Sequence, residues 1–306
     1  MLVLWVIAML AILLGSFSLV ARTESLQARH LFDTTQARYA AEAGLNLAVF
    51  ELAKADPLEK WAGDGRPYAF NYGDAQIEVR ITDDSGKIDL NSICNMPAGN
   101  TAAPNAVGPA AGLSLLTNLF VSHGVQLEKA QALVAAVSDW CDQGDDTQPN
   151  GAEIAEYKAA GLSYGPKNAP FDTVSELQQV LGMNYAIFEK IEPSLTIHSG
   201  QGQPNTGFAD AETLAAMYPD ATPEELQQLV QQRQSIPPSE LAASGLTLPG
   251  GAPIVAGGGG LTYSVKSRAK LPNGASTILD ATIRMGGVSA AGRPFVILRW
   301  RDGETS

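Results

Sequence analysis

The 306-residue chain is poor in the residue types that build catalytic and metal centres, with two cysteines and three histidines. Two cysteines are too few for a zinc site, and Cys94 and Cys141 lie too far apart for a C-x-x-C redox motif. The histidines are scattered, at His30, His123 and His198. They form neither a metal-ligand spacing nor a catalytic triad, so we interpret all three as solvated surface residues.

Basic residues are also in short supply. The chain has 20 Lys and Arg against 32 Asp and Glu, a net charge of −12. Nucleic-acid binding needs clustered lysine and arginine, so the composition excludes a nucleic-acid partner. Such a charge attracts calcium or a basic protein instead.

Residues 1–21 contain no charge and no proline. As a helix they span ~30 Å, the thickness of a bilayer's hydrocarbon core. A cleaved signal peptide is the alternative, but no basic leader precedes the apolar run and residues 19–21 offer no small-x-small cleavage site. The helical pattern then continues to residue 55, with apolar residues at Leu26, Phe32, Tyr39, Ala43, Leu47 and Phe50. We predict a retained single-pass anchor that runs into an amphipathic helix.

Two regions have the two-residue period of β-strands. In the first, apolar residues alternate over residues 75–81, turn residues follow, and Ile88 and Leu90 resume the alternation, which predicts a β-hairpin. The second region closes the chain, with strands predicted at residues 261–265, 277–283 and 295–300. This pattern predicts an antiparallel meander.

The stretch between the β regions has mostly helical patterns, and a Gly/Pro-rich segment then predicts a flexible connector back to strand structure. The economical arrangement is one sheet, made from both β regions and packed on the long helix, with the helices as an insertion. We therefore predict an α+β fold with five parts: the transmembrane half of the helix (1–21), the amphipathic helix and first hairpin (22–91), the helical insertion (92–243), the connector (244–260) and the meander (261–306).

The two cysteines both fall in the predicted insertion. Outside the cytoplasm they can pair, and closing a loop of this length stabilises a fold by ~3–4 kcal/mol in the chain-entropy model. Two unpaired thiols are the alternative, because the sequence does not give the separation of the Cα atoms.

Residues 139–153, with the sequence DWCDQGDDTQPNGAE, form what we call the acidic loop. Ca²⁺ takes six to eight oxygen ligands, best supplied by carboxylates and carbonyls on a turning loop. Asp142, Asp145, Asp146 and Glu153 supply four carboxylates, but a threonine stands where an EF-hand loop requires glycine. On residue types alone, a solvated acidic loop that caps neighbouring helices is the better interpretation.

The order of these motifs resembles the K-type minor pseudopilins of type II secretion systems, the general secretion pathway protein K family. The resemblance covers nearly the whole chain. Its main motifs are the LVLWVIAMLAIL anchor, DDSGKIDLN at residues 83–91, DWCD and GAE in the acidic loop, NAPF at residues 168–171, and the C-terminal meander. It implies a pilin-like fold in which a long N-terminal helix packs on an antiparallel sheet that carries a large all-helical insertion.

The resemblance also implies a function, which is structural and not enzymatic. Family members are inner-membrane proteins with the globular domain in the periplasm, matured by prepilin peptidase. They cap the pseudopilus tip with the I-type and J-type minor pseudopilins to support export of folded proteins, so secreted substrates are further candidate partners. Most pilin-like subunits have a glutamate at the fifth mature position, which K-type members lack, and residues 1–21 contain no acidic residue. Since the usual basic leader is absent, we expect Met1 to lie inside the helix of a longer natural chain.

The same resemblance reverses the interpretation of the acidic loop, because K-type members bind calcium in this region. It implies a structural calcium site at Asp142, Asp145, Asp146, Glu153 and, beyond the loop, Asn168. Gly144 stands where many relatives have an aspartate, so we expect Asp145 or Asp146 to replace that ligand.

Two other functions compete with this prediction. The first is a minor pilin-like subunit of another filament, such as a type IV pilus. The second is a membrane-anchored periplasmic hydrolase with the acidic loop as a catalytic metal site, which would also need a base and a pocket. Asp83, Asp84 and Asp89 offer paired carboxylates, but we predict that they stabilise a turn.

Overall fold

The computed structural model describes residues 1–56, 59–94, 109–144, 147–237, 239–254, 259–286 and 294–303. In chain order its helices and strands are α1 (Leu2–Leu52), β1 (Asp64–Tyr72), β2 (Ala75–Asp83), β3 (Ile88–Asp89), α2 (Leu90–Cys94), α3 (Pro109–Ser122), α4 (Leu127–Cys141), α5 (Ile154–Ala159), α6 (Tyr185–Ile191), β4 (Leu195–Thr196), α7 (Ala211–Met217), α8 (Pro223–Ser235), β5 (Thr262–Lys270), β6 (Ser276–Met285) and β7 (Phe295–Gly303). Short 3-10 turns lie at Asp84–Gly86, Val174–Gln179, Glu192–Ser194 and Leu241–Ala243.

Helix α1 is a single uninterrupted helix of 51 residues, as predicted. Its N-terminal part makes no contact that buries it and is long and apolar enough to cross a membrane. Its C-terminal part packs on the sheet through a stripe of mostly small residues, which let the helix backbone approach the strands closely. This stripe consists of Ala37, Ala40, Ala41, Gly44, Leu45, Ala48, Val49 and Leu52.

Most of the large apolar residues of the predicted stripe on α1 lie on the side away from the sheet. Phe32, Tyr39 and Phe50 are exposed there by 62–69%. Leu26 is 59% exposed because it precedes the part of α1 that packs on the sheet. Helix α1 therefore has two apolar faces. The small residues bury against the sheet of the same chain, and the larger side chains remain open to solvent.

The sheet has five antiparallel strands in the order β1-β2-β5-β6-β7. The predicted alternation in β2 is confirmed, because Ala75, Ile77, Val79 and Ile81 are all buried on the α1 side. The C-terminal meander of β5, β6 and β7 is also confirmed. One sheet made from both β regions thus packs on α1, which is the predicted α+β, pilin-like architecture.

The predicted hairpin between residues 75–81 and Ile88 is wrong. Strand β2 pairs with β1, which precedes it, and with β5 from the end of the chain. Ile88 instead lies in β3, which pairs in parallel with β4 in a separate two-stranded sheet. The alternation of apolar residues continues across this point because both segments are half-buried, although they belong to different sheets.

The polypeptide between β2 and β5 forms the helical insertion. Its main core includes Leu116, Phe120, Val137 and Tyr157, and a second core gathers side chains from α7, α8 and the segment that follows them. Leu248 and Ile254, in the segment predicted as a flexible connector, are 7% and 1% exposed in this second core. The described part of that connector is therefore packed, while the boundaries of the five predicted parts stay predictions.

The insertion lies over the face of the sheet opposite α1. At the β1 border, Gln234 Nε2 donates to the Asp64 carbonyl over 2.9 Å. At the β7 border, the Arg299 guanidinium pairs with Glu192 of the insertion at 3.2 Å. A cleft of about 680 Å³, lined by residues of the sheet and of the insertion, lies between these borders. The insertion thus occupies the second face of the sheet and leaves the outer face of α1 open.

Candidate functional site

The chain leaves the sheet at two buried aspartates. Asp83 is 1% exposed, and its carboxylate accepts the backbone N–H of Ser85 at 2.8 Å and of Gly260 at 2.9 Å. Burial raises the pKa of Asp83, although these hydrogen bonds oppose the shift. The carboxylate thus joins the exit from β2 to the entry into β5, which confirms that Asp83 stabilises a turn.

Asp84 and Asp89 hold the turn to the insertion. The Asp84 carboxylate accepts the hydroxyls of Ser264 at 2.7 Å and Thr196 at 2.9 Å, and pairs with Lys87 at 3.0 Å. Asp89 accepts the backbone N–H of Gly200 at 2.6 Å. The partners of both carboxylates are hydroxyl, ammonium and backbone N–H groups of the same chain that fix the turn in place. The predicted turn-stabilising role therefore holds for both residues.

The acidic loop connects α4 to α5. Asp142 caps the C-terminus of α4, and its carboxylate accepts the N–H of Gly144 at 3.0 Å. Glu153 directly precedes α5 and is 5% exposed. Its backbone N–H donates to Glu156 Oε2 at 2.9 Å, which fixes the start of the helix. Asp145 and Asp146, the other two predicted carboxylate ligands, lie outside the described residues.

Asn168 reaches the acidic loop from a distant part of the chain. Its backbone N–H donates to the Trp140 carbonyl at 2.9 Å, and its Nδ2 donates to the Gly144 carbonyl at 3.2 Å. The residue has a left-handed φ of 52°, which asparagine tolerates better than most side chains. The structure therefore brings the predicted fifth ligand onto the loop.

The described donors suit a hard cation, because Asp142, Glu153 and Asn168 all offer oxygen atoms. Glu153 supplies a carboxylate that is shielded from bulk water. Over the described parts of the chain, no three His, Cys, Asp or Glu side chains converge with metal-binding spacing. The calcium set thus stays a prediction in which two of the five members lie outside the described residues.

The sequence prediction missed the role of Asp139, the first residue of the acidic loop, which lies in the last turn of α4 and is 0% exposed. Its Oδ2 accepts the N–H of Ala152 at 2.8 Å, and the N–H of Gln148 lies 3.3 Å from the same oxygen. Burial raises the pKa of Asp139. The spacing of α4 gave no signal for it, because all residues from Ala136 to Cys141 are buried and not only one face of the helix.

A disulfide joins Cys94 to Cys141, with the Cα atoms 5.4 Å apart. This confirms the pairing of the two cysteines. It ties the end of α2 to the end of α4, where the acidic loop begins.

Two of the three histidines depart from the predicted solvated surface. His198 is half-buried beside the cleft, and burial lowers its pKa. The His123 side chain is only 16% exposed, with Nε2 at 4.0 Å from Glu212. His30 is exposed on α1, as predicted. The helical pattern alone does not show which face of the insertion each residue occupies.

Comparison with known proteins gives one consistent similarity. The family model for type II secretion system (T2SS) protein K matches residues 86–200. A Klebsiella pneumoniae protein named type II secretion system protein K is 31% identical over 259 residues, which cover 79% of this chain and 76% of that protein. The protein of the same name from Pectobacterium carotovorum is 26% identical over 180 residues, covering 57% of this chain and 53% of that protein.

A solved structure gives the same similarity at the level of the fold. It is a chain from the crystal structure of the GspK-GspI-GspJ complex of the enterotoxigenic Escherichia coli type 2 secretion system. The match has a TM-score of 0.55 at 19% identity and covers 93% of this chain and 99% of that chain.

Proposed function

The chain belongs to the type II secretion system protein K family, and from this membership we propose that it caps the tip of a pseudopilus and thereby supports export of folded proteins. It is a minor pseudopilin whose work is done by binding, and we assign it no catalytic step. The difference between the two sides of the sheet carries the proposal. On one side, α1 leaves its larger apolar side chains exposed to solvent. On the other side, the insertion occupies the face of the sheet.

This asymmetry is what the end of a fibre requires. Tyr39 and Phe32 are exposed by 65% and 69% on α1, where neighbouring helices can cover them. The insertion occupies the opposite layer, so that face is not available to a further subunit. The absence of acidic residues from residues 1–21 also supports a terminal position, because pilin-like subunits characteristically use a glutamate there in assembly.

We propose that the partners are the I-type and J-type minor pseudopilins. The structural neighbour was solved as a complex of the corresponding three subunits. We assign to the partner helices the apolar residues of α1 from Leu26 to Phe50, and we call Phe32, Tyr39 and Phe50, on the side away from the sheet, the outer stripe. An exposed apolar patch on a helix is typical of a protein interface.

Coexpression tests this assignment. The full chain, extracted in detergent with its I-type and J-type partners, should elute as a ternary complex, and Tyr39→Asp should reduce its yield. Tyr72→Asp is the matched control, since Tyr72 in β1 is 62% exposed but lies away from the outer stripe. A wild-type chain that elutes alone would contradict the proposal. An equal loss of complex yield in the two variants would show that the outer stripe is not the binding surface.

We also propose a structural calcium ion at Asp142, Asp145, Asp146, Glu153 and Asn168. The buried carboxylate of Glu153 and the contact of Asn168 with the loop support it. Carboxylates gathered on a short loop repel each other, so a cation would order this segment. In detergent, Ca²⁺ should raise the Tm of the full chain, and Glu153→Gln should abolish the shift. Glu224→Gln, at an exposed position of α8, should leave the shift intact.

For the location, we propose a single pass through the inner membrane with the globular domain in the periplasm, after maturation by prepilin peptidase. The apolar part of α1 supports the membrane pass, and the Cys94–Cys141 disulfide is typical of an oxidising compartment. Secreted substrates are further candidate ligands of the tip. A reporter enzyme that is active only in the periplasm, fused to the C-terminus of the full chain, should be active. An inactive reporter would contradict this topology.

A further inference from the structure

Asp139 holds together the two ends of the acidic loop. It lies in the last turn of α4 and is 0% exposed. Its carboxylate accepts the N–H of Ala152, 13 residues further along the chain, at 2.8 Å. The N–H of Gln148 points at the same carboxylate, at 3.3 Å from the nearer oxygen. One buried side chain therefore sets the path by which the loop returns to α4.

The returning backbone packs directly on this carboxylate. A Cβ atom added to Gly151 would collide with Asp139 Oδ2 and would lie 3.1 Å from the Gln148 carbonyl. The absence of a side chain at Gly151 thus permits the close approach. Because Glu153 follows Ala152 immediately, the hydrogen bond to Ala152 also limits where the Glu153 carboxylate can lie.

The other side of the loop is held independently. The N–H of Asn168 binds the Trp140 carbonyl at 2.9 Å, and its side chain binds the Gly144 carbonyl at 3.2 Å. The backbone is thereby fixed on both sides of Asp142 and ahead of Glu153. Such fixing lowers the entropy that the loop would lose when it closes on a ligand.

We propose that Asp139 is a positioning residue that preorganises the acidic loop for a divalent cation by accepting backbone N–H groups, without itself binding the ion. The proposal rests on the calcium site proposed above. It assigns Asp139 a role that differs from those of Asp142 and Glu153, whose oxygens would bind the cation.

The test uses the full chain in detergent and CaCl₂ as the only added metal. Asp139→Asn keeps the size of the side chain but replaces one carboxylate oxygen with an NH₂ donor and removes the negative charge that strengthens the hydrogen bonds to the two N–H groups. We expect its calcium midpoint, measured by titration calorimetry, to be at least tenfold weaker than that of the wild type. In EDTA, the amides of Gln148 and Ala152 should also exchange hydrogen at least tenfold faster in the variant. Loss of a calcium ligand alone would not produce this second effect.

Two further variants separate positioning from general stability. Gly151→Ala keeps the Asp139 carboxylate and displaces the loop from it, so it should weaken the calcium midpoint even if Asp139→Asn fails to fold. Asp210→Asn is the matched control, because Asp210 also accepts a backbone N–H, from Thr213 at 2.7 Å, but caps α7 instead. It should lower the Tm and leave the calcium midpoint unchanged.

The outcomes separate this proposal from the calcium site itself. If the wild type binds calcium and both Asp139→Asn and Gly151→Ala bind it with the same midpoint, the proposed role of Asp139 is wrong. The proposed calcium site would not be contradicted by that result. Unchanged amide exchange in Asp139→Asn would also overturn the role of Asp139. A wild-type chain that binds no calcium would overturn both.

Discussion

The hydroxyl of Ser267 in β5 lies directly against the backbone of Gly44 in α1. A Cβ atom added to Gly44 would collide with this oxygen and would come within 2.9 Å of Ile77 Cγ2. We expect Gly44→Ala to lower the free energy of unfolding by about 1–3 kcal/mol, because overpacking outweighs the better helix propensity of alanine. Urea unfolding of the full chain in detergent measures the change.

The same contact supplies the control. Ser267 is fully buried, and its hydroxyl has no hydrogen-bond partner among the described residues. Ser267→Ala alone should therefore cost little, since it removes a buried polar atom. Added to Gly44→Ala, it should recover part of the lost stability because it makes room for the new methyl group. Strict additivity of the two changes would contradict this account of the contact.

The disulfide gives a second prediction. Cys94 and Cys141 are 47 residues apart, and in the chain-entropy model closing a loop of that length stabilises the fold by about 4 kcal/mol. The double variant Cys94→Ser/Cys141→Ser should lose free energy of unfolding of this order in urea. The wild type in a strong reductant should lose a similar amount, whereas the variant should not respond to reductant. A response of the variant would mean that the reductant acts elsewhere.

Periodicity was a good guide wherever one face of an element meets a core. It predicted α1, β2 and the C-terminal meander, because Ile77 and Val79, for example, point at α1 while the residues between them do not. It failed at Ile88, where the alternation persists although the chain has crossed to another sheet. The point at which the chain leaves the five-stranded sheet is fixed by the hydrogen-bond partners of Asp83 and Asp84. These partners lie about 110–180 residues further along the chain, so local periodicity does not reveal them.

For the site, composition indicated the acidic loop but not its internal order. Asp142 and Glu153 stand out as acidic residues in a turn-rich segment. Asp139 does not, because nothing in its own sequence neighbourhood shows that its carboxylate faces backbone N–H groups rather than water. The contact of Asn168 with Gly144 depends on how a distant segment folds back, so its geometry could not be predicted from spacing.

His198 makes stability depend on pH. Burial lowers its pKa below 6.5, although the nearby Asp84 and Asp89 oppose the shift and Arg284 and Lys87 reinforce it. Between the folded and unfolded pKa values the unfolded chain binds more protons, so stability present above pH 6.5 is lost as the pH falls through the folded pKa. Urea unfolding from pH 7.5 downwards should show this loss.

His198→Gln isolates the contribution, because glutamine does not titrate. The difference in free energy of unfolding between wild type and variant should shrink or change sign as the pH falls, with the wild type losing more. A constant difference across this range would show that His198 titrates alike in the folded and unfolded chains. An increasing advantage of the wild type at low pH would reverse the sign of the argument.

Truncating a side chain to alanine should lower the free energy of unfolding much more on the buried face of α1 than on the outer stripe. Leu45 is 3% exposed against the sheet, so Leu45→Ala should cost about 2–5 kcal/mol through lost burial and a cavity. Tyr39 is 65% exposed on the outer stripe, so Tyr39→Ala should change the free energy of unfolding by no more than about 0.5 kcal/mol. Urea unfolding of the full chain without partners measures both effects. A large loss in Tyr39→Ala would mean that the outer stripe stabilises the isolated subunit, and the stripe could then not be assigned to partner binding alone.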